Sequence, residues 1–385
     1  MPPLGKFLYP RTGIWQQAKK PGSLPIDTLE KLNGLHNEVS IYWDNHYIPH
    51  IFAQNEHDMF FAQGYVEASL RLWQMEFTIM AAAGRLSEIL GDDPKLQDKI
   101  LEFDINQRRM GMIYGAENKL RAIEANPEAL ALLDAYTKGV NAYIESLSYA
   151  EYPIEYKLLD YSPASWANLN SCLLLMAMSK DLTDREYDLE YTNLKNALGE
   201  EMFFKLYGEY YDSMEPIFSK STYPLNDSIK MMDQPDEMRS PSSDVLMPQR
   251  LSQAPDKNIG SNNWVIHKDK TKSGQPLLAN DPHLSFNAPC IWVEMQINCP
   301  GYNAYGVSFP GAPGIVIGCN DSIGWGVTNA GRDVKDWYQL KISKDRRQYY
   351  HDNQWKNLSY RREVIQVRGA EDYILEVPYS HHGPV

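Results

Sequence analysis

The stretch NIGSNNWVIHKDK, Asn258 to Lys270, sets a Gly-Ser pair at the exit of a long polar tract and directly before an apolar, β-branched run. From about Ser219 to Gly260 the chain is rich in Ser, Pro, Asp and Gln and poor in periodic apolar residues, the composition of an exposed linker. A structureless stretch of that length inside a compact protein is uncommon and is usually functional or removable. Ser261 at the end of it has two readings. A serine at a loop-to-strand junction is a commonplace turn residue, but it is also where a nucleophile would stand if its own backbone amine became its base once the chain was cut before it.

Downstream of the seam, strands are predicted. NWVIH and PLLAN flank KSGQ as a hairpin, and WVEMQIN, NAYGVSF, GIVIG, IGWGVTN and DWYQLKI follow between Gly, Pro, Asn and Asp turns, which reads as an antiparallel sheet assembled from hairpins. The chain ends at YSHHGPV in a strand-like context, so a longer protein is expected. Upstream, the period changes midway through one segment. Val39, Ile41 and Trp43 alternate like a strand, whereas Phe60, Val66, Leu70, Trp73, Phe77 and Met80 are spaced like one face of a helix. Asn55 is the predicted N-cap, Asp58 complements the dipole, and Gly84 or Gly91 ends the helix or its continuation. From Asn106 to about Tyr207 the reading stays helical, interrupted by the Pro- and aromatic-rich YPIEYKLLDYSPASWANL.

The totals exclude several classes. With 385 residues, 43% hydrophobic and 23% charged, the chain is globular in composition and long enough for two or three domains. A formal charge of −13 with no Lys/Arg-rich block disfavours nucleic acid. No apolar run approaches the ~18 to 20 residues of a membrane span, and the first residues lack the apolar centre of a signal peptide. Cys172, Cys290, Cys299 and Cys319 show no CxxC spacing and read as small hydrophobes, with a Cys290–Cys299 bridge left open.

Metal and nucleotide motifs are also wanting. His46 and His50 are four apart, but Pro49 lies between them and spoils a helical two-histidine face. His381 and His382 adjoin Gly-Pro and suit a turn, since on a strand they would point to opposite faces. HExxH, EF-hand and P-loop patterns are absent from the sequence. The strand spacing also lacks the alternating helices of an α/β-hydrolase.

Ser261 carries the sharper chemistry. A serine hydroxyl is a weak nucleophile at neutral pH and needs a base within hydrogen-bond reach. An α-amine, with a reference pKa of ~7.7 to 8.0, suits that task, and an N-terminal serine holds one beside its own Oγ. Cutting between Gly260 and Ser261 would create both groups at once, and Gly260, without a Cβ, would permit the strained approach of Oγ to the preceding carbonyl.

GSNNWVI, then LLANDPHL, then FPGAPGIVIGCNDSIGWGVTNAGRDVKDWY resemble, in order and spacing, the start of the β-chain of the penicillin acylases, N-terminal-nucleophile (Ntn) amide hydrolases. IPHIFAQNEHDMFFAQGYVEASLRLWQMEF and GRLSEILG resemble the family's α-chain opening, so the likeness covers most of positions 38 to 340. It implies an α+β fold, the Ntn-hydrolase αββα sandwich of antiparallel sheets flanked by helices. It also implies a precursor divided into a mainly helical α-chain-like segment (1–218), an excised spacer (219–260) and an incomplete β-chain start (261–385). Ser261 then takes the nucleophile's place, Gly260 the residue released, and Asn329 the backbone N–H of the oxyanion hole, while His283 would orient the serine or its amine. Structural calcium is implied at Asp333, Asp336 and the carbonyl of Lys335, joined by Glu190 or, in another alignment, Glu186. Leu284, Ile291, Val316 and Ile317 fall where the family lines its acyl pocket, and a core reading fits the same residues.

Two departures stand out. His46-Tyr47 occupies the place of a family glycine, which bears on that loop's conformation. The second oxyanion donor and part of the calcium site would lie beyond Val385. The implied function is hydrolysis of an N-acyl carboxamide, without organic cofactor, by α- and β-chains formed from one precursor in a bacterial periplasm or secreted. The alternatives are a processing-deficient relative acting as a binding or scaffold domain, and a serine hydrolase that uses His283 as base without cleavage.

Overall fold

The structure is a computed structural model, and it describes residues 4–19, 29–92, 99–182, 188–207, 260–284, 287–329 and 336–385. Apart from Gly260, the expected spacer lies outside the described residues. The chain divides spatially into two units, one of Met1–Thr183, Asp256–Ala330 and Asn357–Val385, the other of Asp184–Pro255 and Gly331–Lys356. The larger unit therefore draws on both sides of residue 260.

That unit opens with α1 (Leu4–Phe7), β1 (Ser40–Trp43) and β2 (Pro49–Phe52), followed by the long helix α2 (Glu56–Ala83). The reading of α2 from sequence holds at both ends. Asn55 Oδ1 accepts from Asp58 N at 2.8 Å, and Gly84 closes the helix in the left-handed region, the conformation a Cβ penalises. The structure adds a non-helical residue at Arg71. It also leaves Leu70 38% exposed, so the buried face is carried by Met59, Val66, Leu72, Met75 and Ile79.

Behind α2 come α3 (Ser87–Leu90), α4 (Ile100–Arg109), α5 (Met112–Glu124), α6 (Pro127–Ser146), α7 (Ile154–Leu159) and α8 (Asn168–Leu182). Asn126 caps α6, its side chain accepting from Glu128 N and Ala129 N, with Pro127 in the first turn where its missing N–H is no loss. Helices α2 and α6 meet backbone to backbone. A Cβ added to Gly139 would stand 1.8 Å from the Phe61 carbonyl oxygen, and one on Gly64 2.2 Å from that of Tyr136.

These helices cover a six-stranded sheet of order β1-β2-β5-β6-β7-β8, where β5 is Val293–Cys299, β6 Tyr302–Ser308, β7 Ile317–Cys319 and β8 Gly324–Trp325. On β5, Val293, Met295, Ile297 and Cys299 are buried in strict alternation, the period of a strand with one face on a core. The core joins Ile51, Met59, Met75, Tyr136, Val140, Met295 and Ile297, and each buried aliphatic side chain contributes ~1.5–3 kcal/mol relative to exposure.

The remaining strands of this unit are β3 (Gly260–Ile266) paired with β4 (Leu277–His283), and β12 (Ser359–Ile365), β13 (Tyr373–Ser380) and β14 (Gly383–Pro384) in a third sheet. Arg108 reaches Glu363 at 2.5 Å and Arg361 reaches Glu117 at 2.7 and 2.9 Å, so helices α4 and α5 are pinned to β12. The smaller unit, described by itself, contains α9 (Asp188–Leu198) and α10 (Glu200–Tyr207), joined through Tyr191 against Phe203 and Tyr207. It also holds the strands β9 (Lys341–Ile342), β10 (Gln348–His351) and β11 (Gln354–Asn357).

The α+β class expected from the sequence is observed, with three corrections. The main sheet is mixed, because β2 runs parallel to β5 with Ile51 opposite Ile297. The β3–β4 connection is longer than KSGQ, running from Ile266 to Leu277 through a turn of 3₁₀ helix at Lys268–Lys270. All four cysteines are free, and Cys290 and Cys319 are exposed, so only Cys172 and Cys299 serve as buried hydrophobes. His381 and His382 sit in the expected turn, their ring centroids 3.8 Å apart. Tyr47, at the place of the missing glycine, itself adopts φ 63°, a conformation strained for a bulky residue. No helix among the described residues is long and apolar enough to cross a membrane.

Candidate active site

The β3–β4 ribbon brings the two catalytic candidates of the sequence into one place. Gly260 is the register partner of His283 and Ser261 that of Pro282. Ser261 Oγ donates to the Gly260 carbonyl oxygen at 2.6 Å, so the hydroxyl already lies against the peptide unit whose cleavage was expected. His283 faces the same junction, its Nδ1 being 3.8 Å from the point where a Cβ on Gly260 would stand. Its other nitrogen, Nε2, pairs with Asp281 Oδ2 at 3.0 Å. Both partners of that ion pair are well exposed to solvent, which leaves the pair little energy of its own.

Asn280 is the residue the sequence reading passed over. Its amide donates to the carbonyl oxygens of Asn262 at 3.1 Å and Val327 at 2.9 Å, and its Oδ1 accepts from Val327 N at 2.8 Å. One side chain thus sutures the segment after β8 to the β3–β4 ribbon. Gly326 is needed at this crossing, since a Cβ there would come within 2.8 Å of Asn280 Oδ1. Thr328 Oγ1 then reaches the Ser261 carbonyl oxygen at 3.4 Å, which brings Asn329, the next residue, to the neighbourhood of the serine. The signal in the sequence was a polar residue closing the apolar run of PLLAN.

Comparison with known proteins gives the chain's family. The family model described as penicillin amidase matches residues 38–385. The chain belongs to the penicillin amidase family. It is 31% identical over 363 residues to penicillin acylase 2 proenzyme of Pseudomonas sp. (strain SE83), covering 94% of this chain and 45% of that protein. It is 29% identical to the acyl-homoserine lactone acylase QuiP of Pseudomonas aeruginosa, covering 96% of this chain and 43% of that protein. A crystal form of thermostable penicillin G acylase from Alcaligenes faecalis aligns with a TM-score of 0.41 and 22% identity, over 47% of this chain and 97% of that one. The chain thus spans less than half the length of the curated relatives it matches.

In this penicillin amidase family chain the expected pocket residues fall beside β4, β5 and β7. Ile291 and Val316 pack against the main core while staying partly exposed. Ile317 opens β7 and Leu284 follows β4, both half-buried. Of the expected calcium ligands, Asp333, Lys335 and the alternative Glu186 lie outside the described residues. Glu190 and Asp336 are exposed, and neither joins a cluster of three converging His, Cys, Asp or Glu side chains among the described residues. Carboxylate and carbonyl oxygens remain the donor set calcium prefers.

One buried polar group was not foreseen from the sequence. Glu67, on α2, is fully buried, and its carboxylate accepts from Gln63 Nε2, Ser308 Oγ, Tyr136 OH and Gly311 N. Burial pushes it up to about 7 against the pull of those four donors. In the sequence it occupies one position of an apolar face, indistinguishable from a solvated acid.

Proposed function

We propose that this chain carries the nucleophilic half of an N-terminal-serine acylase that hydrolyses N-acyl carboxamides. The observation that carries the reading is the 2.6 Å contact between Ser261 Oγ and the Gly260 carbonyl oxygen, on a strand whose neighbour presents His283 and whose flank is sutured to residues 326–328. Family membership and the acylase names of the relatives support it. In maturation, Ser261 Oγ adds to the Gly260 carbonyl carbon and the Gly260–Ser261 C–N bond breaks, leaving an ester and a free α-amine. Water then hydrolyses the ester, releasing the Gly260 carboxylate and restoring the hydroxyl.

In turnover the α-amine accepts the hydroxyl proton as Oγ attacks the substrate carbonyl carbon. The oxyanion is held by the Asn329 backbone N–H, a donor of the kind whose loss costs ~10²- to 10³-fold in turnover. Collapse breaks the amide C–N bond, the leaving amine takes the proton from the α-ammonium, and water cleaves the acyl-serine ester. Leu284, Ile291, Val316 and Ile317 would receive an apolar acyl group. The relatives are named for penicillin and for acyl-homoserine lactones, both amides of a ring-bearing amine, and we infer that substrate class here. Calcium, held by Asp333, Asp336, the Lys335 carbonyl and Glu190, would serve structure and take no part in proton transfer. Export to the periplasm or medium fits the same reading.

One observation favours a second reading: the His283–Asp281 pair at 3.0 Å has the composition of a base and its orienting acid, so Ser261 could act without being freed. Mass spectrometry of purified protein with an amine-release assay separates the two. Under the first reading a fragment beginning at Ser261 accompanies activity, and Ser261→Ala abolishes both. Activity from material in which Ser261 remains joined to Gly260 would establish the second.

A further inference from the structure

Two side chains one turn apart on α2 grip the connection between β6 and β7 at its entrance, middle and exit. Ser308 Oγ donates to Glu67 Oε1 at 2.6 Å, and Gly311 N donates to Glu67 Oε2 at 3.1 Å and to Tyr136 OH at 2.9 Å. The Gln63 side chain bonds Gly314 in both directions, accepting from its N–H at 2.9 Å and donating to its carbonyl at 3.2 Å. Gly311 has φ +110°, and a Cβ there would crowd Leu174 and Trp166, so the turn is fitted to its seat. Two residues beyond Gly314 begin Val316 and Ile317, the first of them already hydrogen-bonded to Val307.

We propose that Glu67 is a positioning residue for the acyl pocket, latching the Ser308–Gly314 turn so that Val316 and Ile317 present a fixed wall to the acyl group, and that ionisation of its carboxyl loosens this wall. The inference rests on the pocket assignment made above.

Among the described residues the network contains no cation. The groups that touch Glu67 are Gln63 on its own helix, Tyr136 from α6, Ser308 from β6 and the backbone of Gly311, and Tyr136 is itself raised by burial and by the Glu67 charge. The neutral acid can be accommodated, because Ser308 Oγ has a second acceptor in the Val293 carbonyl at 3.3 Å. It can turn its proton there and accept from Glu67. Burial holds the carboxyl at about 7 against an ordinary 4.5, so any opening that hydrates it is favoured once the charge forms. Across pH 6 to 8 the opening constant should rise roughly tenfold.

The test is hydrogen exchange of peptides spanning 309–317 in the mature wild type and Glu67→Gln, corrected for the intrinsic pH dependence, together with KM and kcat for N-acyl amides of graded acyl length. The amide of Gln mimics the neutral acid. In the wild type, protection of the turn should fall about tenfold from pH 6 to 8 and the acyl-length preference in KM should shift, while the ratio of kcat values between acyl lengths stays little changed, the α-amine titrating alike for all of them. Glu67→Gln should hold the pH 6 pattern throughout and still be cleaved before Ser261. Exchange that is equally flat in the wild type, or an acyl preference that titrates identically in Glu67→Gln, would overturn the latch. Titrating exchange with an unmoved acyl preference would overturn its link to the pocket. Absence of turnover and cleavage in the wild type would refute the acylase reading and the pocket role with it, while exchange alone would still decide for or against the latch.

Discussion

Ser261 and Asn280 divide the work at the seam in different ways. Ser261 is the proposed nucleophile, whereas Asn280 supplies three hydrogen bonds, two to Val327 and one to Asn262, that tie the segment after β8 to β3 and β4. Each such bond is worth ~1 kcal/mol net, so Asn280→Ala should lower kcat for an N-acyl amide by tenfold or more while leaving the fold intact by circular dichroism. Asn280→Asp is the more telling change. Its carboxylate still accepts from Val327 N but faces the carbonyl oxygens of Asn262 and Val327, so its activity should be no better than that of the alanine variant. Recovery of wild-type kcat in Asn280→Asp would remove the suture from the account. At this scale the sequence displayed the residue proposed to react but not the one that fixes its surroundings. Ser261 sits in a distinctive setting, whereas Asn280 becomes informative only when a segment 47 residues away arrives beside it.

Helix α2 shows what a local pattern does and does not encode. Its start was legible because an N-cap is a contact over three residues. Asn55→Ala should cost ~1 kcal/mol, read as a lower midpoint of chemical denaturation, and more if the donation from Asn55 Nδ2 to Asp58 at 2.8 Å is also missed. Its crossing with α6 was not legible, since Gly64 and Gly139 look like weak helix positions until the two backbones touch. Gly139→Ala places a methyl group where the Phe61 carbonyl oxygen is 1.8 Å away. The helices must then separate, and destabilisation well above the ~1 kcal/mol that alanine normally gains over glycine in a helix is expected in the same titration. The parallel β2–β5 pairing escaped prediction for a related reason. Hairpins announce themselves through their turns, but His50 and Gln296 meet across a sequence separation that no turn spans.

For the molecule as a whole, two buried carboxyl groups pull the pH profile in opposite directions. Burial alone would raise Asp58, but hydrogen bonds from His36, His57, Asn55 and Asn37 outweigh it and hold the group down to about 2. It therefore adds stability that is complete above an ordinary 3.8 and is lost as the pH falls through about 2. Glu67 has the reverse sign. Raised from 4.5 to about 7, it contributes stability that is complete below pH 4.5 and fades as the pH rises through 7, a loss on the order of 3 kcal/mol. Thermal unfolding from pH 3 to 9 should thus place the maximum on the acid side of neutrality. Glu67→Gln should flatten the alkaline limb, while Asp58→Asn should lower stability near neutrality far more than near pH 2. A wild-type midpoint that keeps rising beyond pH 7 would contradict the assignment of Glu67.

The main sheet is laid down by chain from both sides of residue 260: β1 and β2 come from before it and β5 through β8 from after it, joined by the β2–β5 ladder. Severing the backbone there would leave two polypeptides woven into one hydrogen-bonded surface, with Arg108–Glu363 and Arg361–Glu117 as further ties. Neither piece could depart without exposing a raw edge of sheet and an apolar helix face. They should co-elute in native buffer and part only in denaturant, so that a nick changes the chemistry of one amine and nothing about cohesion.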